Sequence, residues 1–381
     1  MDIFDQDNRT VAVSYKHTFY KNTVLLLLLH LASITCLVTM LGKRVLHVVT
    51  PLNQSVQMTK SLSSITSLNN VQVLVKLDCV QPGGSFKIRG IGHLAQQAKL
   101  RGATKLCSSS GGNAGMATAY AAQANGMSAT VVVPSTTPAF ARDKIQALGA
   151  EVVVHGNVWD EADQYVKQMV KELGEDIACY VPPFEHPTIW EGHATMIDEI
   201  KEQMNGAIPS CIVVSVGGGG LLCGVLVGLQ RNGWENVPVV AVETKGAESF
   251  HKGMEAGKPV RLEGGITSIA KSLGATIVSS TAVSMSTSHP GTVTSIVVTD
   301  AAAVQACCRF ADDHRCMVEP ACGAALAGAA YDQEGVASGV HAILSNGREN
   351  EEGQMDTKHV VVIACGGNIV SRQMMDEWQK L

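Results

Sequence analysis

Apolar and polar positions follow two rhythms along most of the chain. Short runs rich in Val, Ile and Ala predict strands over 71–77, 104–107, 129–133, 151–154, 178–181, 211–216, 239–242, 292–298 and 359–363. Between them, apolar positions spaced three and four residues apart predict helices over 88–101, 113–125, 139–148, 159–173, 192–204 and 221–232. Gly, Pro or Ser marks most junctions. Strand–helix alternation with crossovers of this length predicts an α/β fold of open parallel sheets covered on both faces by helices. The Pro182–Pro183 step, followed by Phe184, marks a crossing between domains. The acidic, Gly-containing stretch 346–358 (NGRENEEGQMDTK) reads as an exposed loop before the last strand.

One segment breaks this rhythm. Residues 22–42 carry no Asp, Glu, Lys or Arg, and 24–41 (VLLLLLHLASITCLVTML) is almost wholly apolar. As a helix those eighteen residues would span roughly 27 Å, close to the ~30 Å hydrocarbon core of a bilayer. Asp2, Asp5 and Asp7 ahead of the run, and no A-x-A site after it, argue against a cleaved signal peptide or a mitochondrial transit peptide. Basic residues flank both sides (Arg9, Lys16 and Lys21; Lys43 and Arg44), so orientation is undetermined. Two readings stand: a membrane anchor, or a leader from an incorrectly assigned start that the working protein does not carry.

Composition narrows the function classes. A length of 381 residues suggests two domains. The balance of 29 Lys+Arg against 34 Asp+Glu excludes a nucleic-acid binder held by phosphate contacts. With 46% hydrophobic residues but only 4% aromatic, the core must be Ala, Val, Leu and Ile, which suits parallel sheets. The eleven cysteines include no C-x-x-C pair and sit mostly among apolar neighbours. That usage fits reduced thiols and a cytoplasmic protein, and it gives no zinc pattern.

Four segments carry candidate chemistry. In QPGGSFKIRG, Lys87 follows a flexible turn at the opening of a helix. A partly desolvated amine there has a lowered pKa and can attack a carbonyl, although a lysine in such a place can also be plainly solvated. In CSSSGGNAG a strand meets a Ser/Gly turn whose free N–H groups suit a carboxylate or phosphate. The same turn could simply be capped by Ser110 or Asn113. In VSVGGGGLLCG a strand runs into four glycines and a helix, a phosphate cradle. A Rossmann fingerprint fails there, because position 222 is Leu and 223 is Cys where Gly or Ala is needed; Glu243 after the next strand keeps that reading alive but weak. In VVVIACGGN, Cys365 sits at the carboxyl end of a strand, where α/β sheets bind ligands, or is a buried thiol.

Together with PPFEHPTIWEGHA (182–194), ITSIAKSLG (266–274) and VEPACGAA (318–325), these segments resemble the fold-type II pyridoxal-phosphate enzymes of the tryptophan synthase β-like type, and closely the animal-type L-serine dehydratase/L-threonine deaminase family. The resemblance runs from about Val45 to the C-terminus. It implies a large cofactor-binding domain of 45–84 with 182–381 and a small domain of 85–181. It also implies that Lys87 forms the Schiff base, that Phe86 packs on the cofactor ring and that Asn113 bonds its 3′ oxygen. Ser110 and Gly111, with Asn113, would hold the substrate carboxylate. Gly217, Gly218, Gly219, Gly220 and Leu221 would cradle the phosphate, and Cys365 would face the pyridine nitrogen. A monovalent cation such as K+ is implied near Glu243, Ala247, Ser249, Leu273 and Ala275, and the family implies a homodimer. One departure is the stretch CGGNIV, where relatives usually carry an additional polar residue.

The implied reaction is loss of the β-hydroxyl and amino groups from L-serine, giving pyruvate and ammonia, or from L-threonine, giving 2-oxobutanoate and ammonia. The alternatives are a β-replacement enzyme or a serine racemase of the same fold. From another class comes a non-catalytic, membrane-tethered amino-acid binder. Against β-replacement, Ala114 stands where those enzymes usually carry Thr.

Overall fold

A computed structural model describes residues 45–345 and 357–380. Chain contacts divide the protein into two units, Met1–Val45 and Leu46–Leu381. The apolar segment 24–41 and most of the acidic stretch, 346–356, lie outside the described residues. Among the described residues no helix is long and apolar enough to cross a membrane.

Ten strands form two sheets among the described residues. In chain order they are β1 (Leu52–Gln54), β2 (Val71–Lys76), β3 (Lys105–Ser108), β4 (Ser128–Val133), β5 (Glu151–Val154), β6 (Ala178–Val181), β7 (Cys211–Ser215), β8 (Val239–Thr244), β9 (Val293–Val298) and β10 (Lys358–Ile363). One sheet has the order β1-β2-β10-β7-β8-β9 and the other β5-β4-β3-β6. Every pairing is parallel except β1 with β2. The last strand therefore lies inside the larger sheet, with Val360 opposite Val73 on one side and Cys211 on the other. Buried on both faces, its Val360–Val361–Val362–Ile363 run shows no alternation, as a central parallel strand should not.

The helices up to residue 326 are, in order, α1 (Val56–Thr66), α2 (Lys87–Leu100), α3 (Asn113–Asn125), α4 (Ala139–Ala147), α5 (Trp159–Leu173), α6 (Pro187–Gln203), α7 (Gly220–Arg231), α8 (Ser249–Ala256), α9 (Ser280–Ser288), α10 (Asp300–His314) and α11 (Pro320–Leu326), and a further helix, Arg372–Trp378, follows β10. Most predicted elements agree within a residue or two. The helix expected over 192–204 starts earlier because Pro187 fits the first turn, where it has no N–H to lose, and His186 Nδ1 accepts from the Thr188 N–H at 3.1 Å. Strand β1 was not expected: it is three residues long, at an edge, and only its first residue is partly buried.

A buried charge network anchors the start of α2. Arg89 donates to both oxygens of Asp78, at 2.6 and 2.8 Å, and to both oxygens of Glu199 on α6, at 2.6 and 2.8 Å. Lys76, at the end of β2, reaches the same Glu199 at 2.6 Å and the Thr50 carbonyl at 2.7 Å. Two buried cations thus face two buried anions, and most of the carboxylate lone pairs are engaged. The neighbouring guanidinium and ammonium groups hold both carboxyls below their usual range against the opposing cost of burial.

Candidate active site

Three chain segments leave the carboxyl ends of β2, β7 and β10 and meet. After β2 the chain turns through Gly83 and Gly84 into α2, which begins at Lys87. After β10 it passes Cys365 and a Gly366–Gly367 turn. The two segments are stitched together by backbone bonds: Phe86 N–H to the Cys365 carbonyl at 3.0 Å and Gly367 N–H to the Gly84 carbonyl at 2.9 Å. Cys365 is buried, with its Sγ 3.8 Å from Ser215 Oγ at the end of β7. Lys87 Nζ donates to the Pro183 carbonyl at 2.5 Å and lies 5.2 Å from the centre of the Phe86 ring. Desolvation lowers its amine to about 8, against a weaker opposing effect of Cys365.

The glycine run after β7 has steric reasons for its composition. Gly219 is the residue before α7 and has φ +97°, a conformation that L side chains rarely adopt. A Cβ on Gly218 would collide with the Phe184 ring, and one on Gly220 would lie 2.8 Å from the Phe184 carbonyl. No side chain caps α7, so its first N–H groups stay available for an anion at the positive end of the helix dipole. The same holds for α3: Asn113 is its first residue, Gly112 precedes it, and neither Ser110 nor Asn113 acts as the cap. Ser110 Oγ instead accepts from the Gly112 N–H at 3.3 Å and shapes the turn.

Asn113 joins the two sheets' loops. Its Oδ1 accepts from the Asn368 N–H at 2.9 Å, while its Nδ2 reaches the two oxygens of Glu319 at 3.3 and 3.2 Å. Lys87, Phe86, Cys365 and Ser215 are therefore linked by direct contacts, and Asn113 is tied to the turn that follows Cys365. Glu243 lies elsewhere on the larger sheet. Its carboxylate accepts from the N–H groups of Phe250 and His251, at 2.9 and 2.7 Å, and burial raises it to about 8. Ser249 Oγ is buried without a hydrogen-bond partner among the described residues.

Two site residues had been given no role from the sequence. Glu319 is the only charge in 318–330, a signal that could have found it. His193 on α6 stacks obliquely on Phe86, 4.8 Å between ring centres, with both ring nitrogens buried and unpartnered among the described residues. Burial and the nearby Lys87 keep it well below the usual imidazole range. A single histidine in a helical pattern gives no such warning.

A shielded amine beside an aromatic ring, together with an uncapped, glycine-rich helix start, suits an aldehyde that carries a phosphate. The comparisons agree. Residues 47–347 match the pyridoxal-phosphate dependent enzyme family. The mouse L-serine dehydratase/L-threonine deaminase is 45% identical over 334 residues, covering 87% of this chain and 94% of that protein. A fungal L-serine ammonia-lyase from Rhizomucor miehei is similar in structure, with a TM-score of 0.76 and 36% identity, covering 88% of this chain and 98% of that one. The processed form of threonine deaminase isoform 2 from Solanum lycopersicum shares the fold, with a TM-score of 0.73 at 23% identity over 91% of this chain and 92% of its own. With its shielded lysine, its glycine cradle and these relatives, the chain belongs to the pyridoxal-phosphate-dependent enzymes and, among them, to the L-serine dehydratase/L-threonine deaminase family.

Proposed function

We propose that the protein is a pyridoxal-phosphate-dependent ammonia-lyase that converts L-serine to pyruvate and ammonia and L-threonine to 2-oxobutanoate and ammonia. The observation that carries this reading is Lys87, whose amine is desolvated to about 8 at the meeting point of the three loops. The residues fit the cofactor. Gly218 and Gly220 let Phe184 pack directly on the glycine run, and the uncapped N–H groups from Gly217 through Leu221 suit the cofactor's phosphate. Cys365 with Ser215 behind it suits a neutral ring nitrogen, since a thiol is a weak partner. When bound, pyridoxal phosphate supplies the electron sink for negative charge at the substrate Cα.

The chain's own residues then have distinct tasks. Lys87 would hold the cofactor, and its amine, when free and neutral in useful amount near pH 8, would take the Cα proton. Ser110 and Gly111 offer hydroxyl and N–H donors to the substrate carboxylate at the start of α3. Asn113 offers its amide to the ring oxygen. Phe86, beside the Lys87 amine, would pack against the cofactor ring and exclude water from it. A thiol rather than a carboxylate at the ring nitrogen disfavours long-lived carbanions, and so favours prompt loss of the β-hydroxyl over racemisation.

The proposal includes a larger domain of 45–84 with 182–381 and a smaller one of 85–181, supported by the separate sheets those segments supply. It includes a monovalent cation held by Glu243 and Ser249, with Ala247, Leu273 and Ala275 in adjoining segments. The buried carboxylate and the unpartnered Ser249 hydroxyl support it. A homodimer and a cytoplasmic location complete the reading and rest on resemblance and cysteine usage.

The test is the visible spectrum of purified protein with pyridoxal phosphate, followed by a lactate-dehydrogenase-coupled pyruvate assay and an assay for D-serine. Wild type should acquire the absorbance of a lysine-bound cofactor and release pyruvate with L-serine, and Lys87→Ala should do neither. Cofactor uptake with D-serine as the main product would replace the lyase reading by a racemase.

A further inference from the structure

Glu319 precedes α11 with 4% of its surface exposed. Its carboxylate meets donors from three distant parts of the chain. Oε1 accepts from the Ile369 N–H at 2.7 Å, Oε2 accepts from the Ser272 hydroxyl, and the Asn113 Nδ2 lies 3.3 and 3.2 Å from the two oxygens. Gly367 passes so close that a Cβ there would run into the Glu319 side chain, which wedges the carboxylate in place. Burial raises this carboxyl, and the bonds from Ser272, Ile369 and Asn113 oppose that rise. An ionised carboxylate only accepts, so three donors match it without conflict.

The consequence falls on Asn113. A side-chain amide is nearly symmetrical in shape, and only its hydrogen bonds decide which end points where. Here Oδ1 accepts from the Asn368 N–H at 2.9 Å while Nδ2 faces Glu319. Turning the amide over would set its oxygen against a carboxylate and its NH2 against an N–H, losing both bonds and adding two repulsions. Nδ2 carries two hydrogens, and Glu319 takes one of them. The other has only a long contact, 3.5 Å, to the Ser272 hydroxyl, which a closer acceptor in the site can replace.

We propose that Glu319 is a positioning residue that locks the Asn113 amide so that an N–H, and not the carbonyl, is presented to the ring oxygen of bound pyridoxal phosphate. The inference rests on the role assigned to Asn113 above. Its interest is that a carboxylate outside every glycine- or lysine-bearing loop decides the polarity of the group that meets the cofactor ring. Glutamine at this position has one acceptor oxygen for three donors, so it must release one of them or let Asn113 turn.

The test is equilibrium binding of pyridoxal phosphate to the apoproteins of wild type, Glu319→Gln, Asn113→Ala and the double variant, with thermal unfolding of each as a check on folding. Glu319→Gln should weaken binding about ten-fold in the wild-type background. It should change binding less than two-fold in the Asn113→Ala background, because there is no amide left to orient. Glu319→Asp, which keeps the acceptors but retracts them, should recover part of the loss. Equal losses in both backgrounds, or no loss in the first, would overturn the proposal. If Glu319→Gln does not fold, Ser272→Ala serves instead: it removes one of the Glu319 bonds, and its weaker effect should likewise vanish without Asn113. Wild-type apoprotein that takes up no pyridoxal phosphate would overturn the functional reading itself, a result distinct from an additive cycle.

Discussion

The Lys87 amine titrates near 8 because it is shielded from water, and that shielding has a measurable price in pH units. An ordinary lysine near 10.4 is neutral about once in 2,500 molecules at pH 7, whereas an amine at 8 is neutral in roughly one of ten, a gain of ~250-fold in nucleophile. The amine attacks only when neutral, so the rate at which apoprotein joins pyridoxal phosphate should rise with pH, reach half its maximum near 8 and level off above about 9. Phe86, whose ring lies 5.2 Å from Nζ, is part of that shield. Phe86→Ala admits water and should move the midpoint upward by about one unit, which lowers the rate at pH 7 about ten-fold. The assay is brief exposure to pyridoxal phosphate at each pH, reduction with borohydride, and quantification of the labelled Lys87 peptide by mass. A midpoint near that of an ordinary lysine in the wild type, or no upward movement in Phe86→Ala, would refute burial as the cause.

Four other outcomes follow from the same geometry. Glu199→Gln leaves Arg89 and Lys76 facing one carboxylate and should destabilise the fold by about 3–5 kcal/mol in urea unfolding; a loss under 1 kcal/mol would mean that water reaches the network. Because Asp78 and Glu199 are held below their usual range when folded, their contribution is present above the unfolded carboxyl range, near 4, and is lost as pH falls further, so wild type should unfold in acid over that window while the Glu199→Gln protein shows a shallower acid dependence. Gly218→Ala must displace the Phe184 ring and should weaken cofactor binding at least ten-fold by equilibrium dialysis, and replacing K+ by a bulky organic cation should lower kcat if Glu243 and Ser249 hold a cation.

Much of this architecture was legible in the chain because parallel strands announce themselves as unbroken Val/Ile runs. Strands β5 and β6 have the bounds that the sequence pattern predicts, 151–154 and 178–181. Elements without that contrast were harder to read. Every residue of α11 is buried, so it has no polar face to set a helical period. The site divides in the same way. Lys87 and the glycine cradle stand out locally, since a lysine after Gly-Gly-Ser and four successive glycines are unusual on their own. Glu319 does not, because what makes it functional is contact with Ser272, Ile369 and Asn113, which are 47, 50 and 206 residues away. Spacing along the chain carries no trace of such a meeting.

The position of β10 inside the larger sheet also governs how the protein comes into being. Strands β2 and β7 are both made before their shared partner, a strand beginning at Lys358 that lies between them. From the completion of β7 until β10 is made, the chain therefore carries two unpaired apolar strand edges, a condition that invites pairing with other chains. Cys365 and the turn that grips Asn113 arrive with that same strand. Cofactor cannot rescue a stalled or truncated chain, and the final two dozen residues act as the closing stave of the sheet as well as one wall of the site.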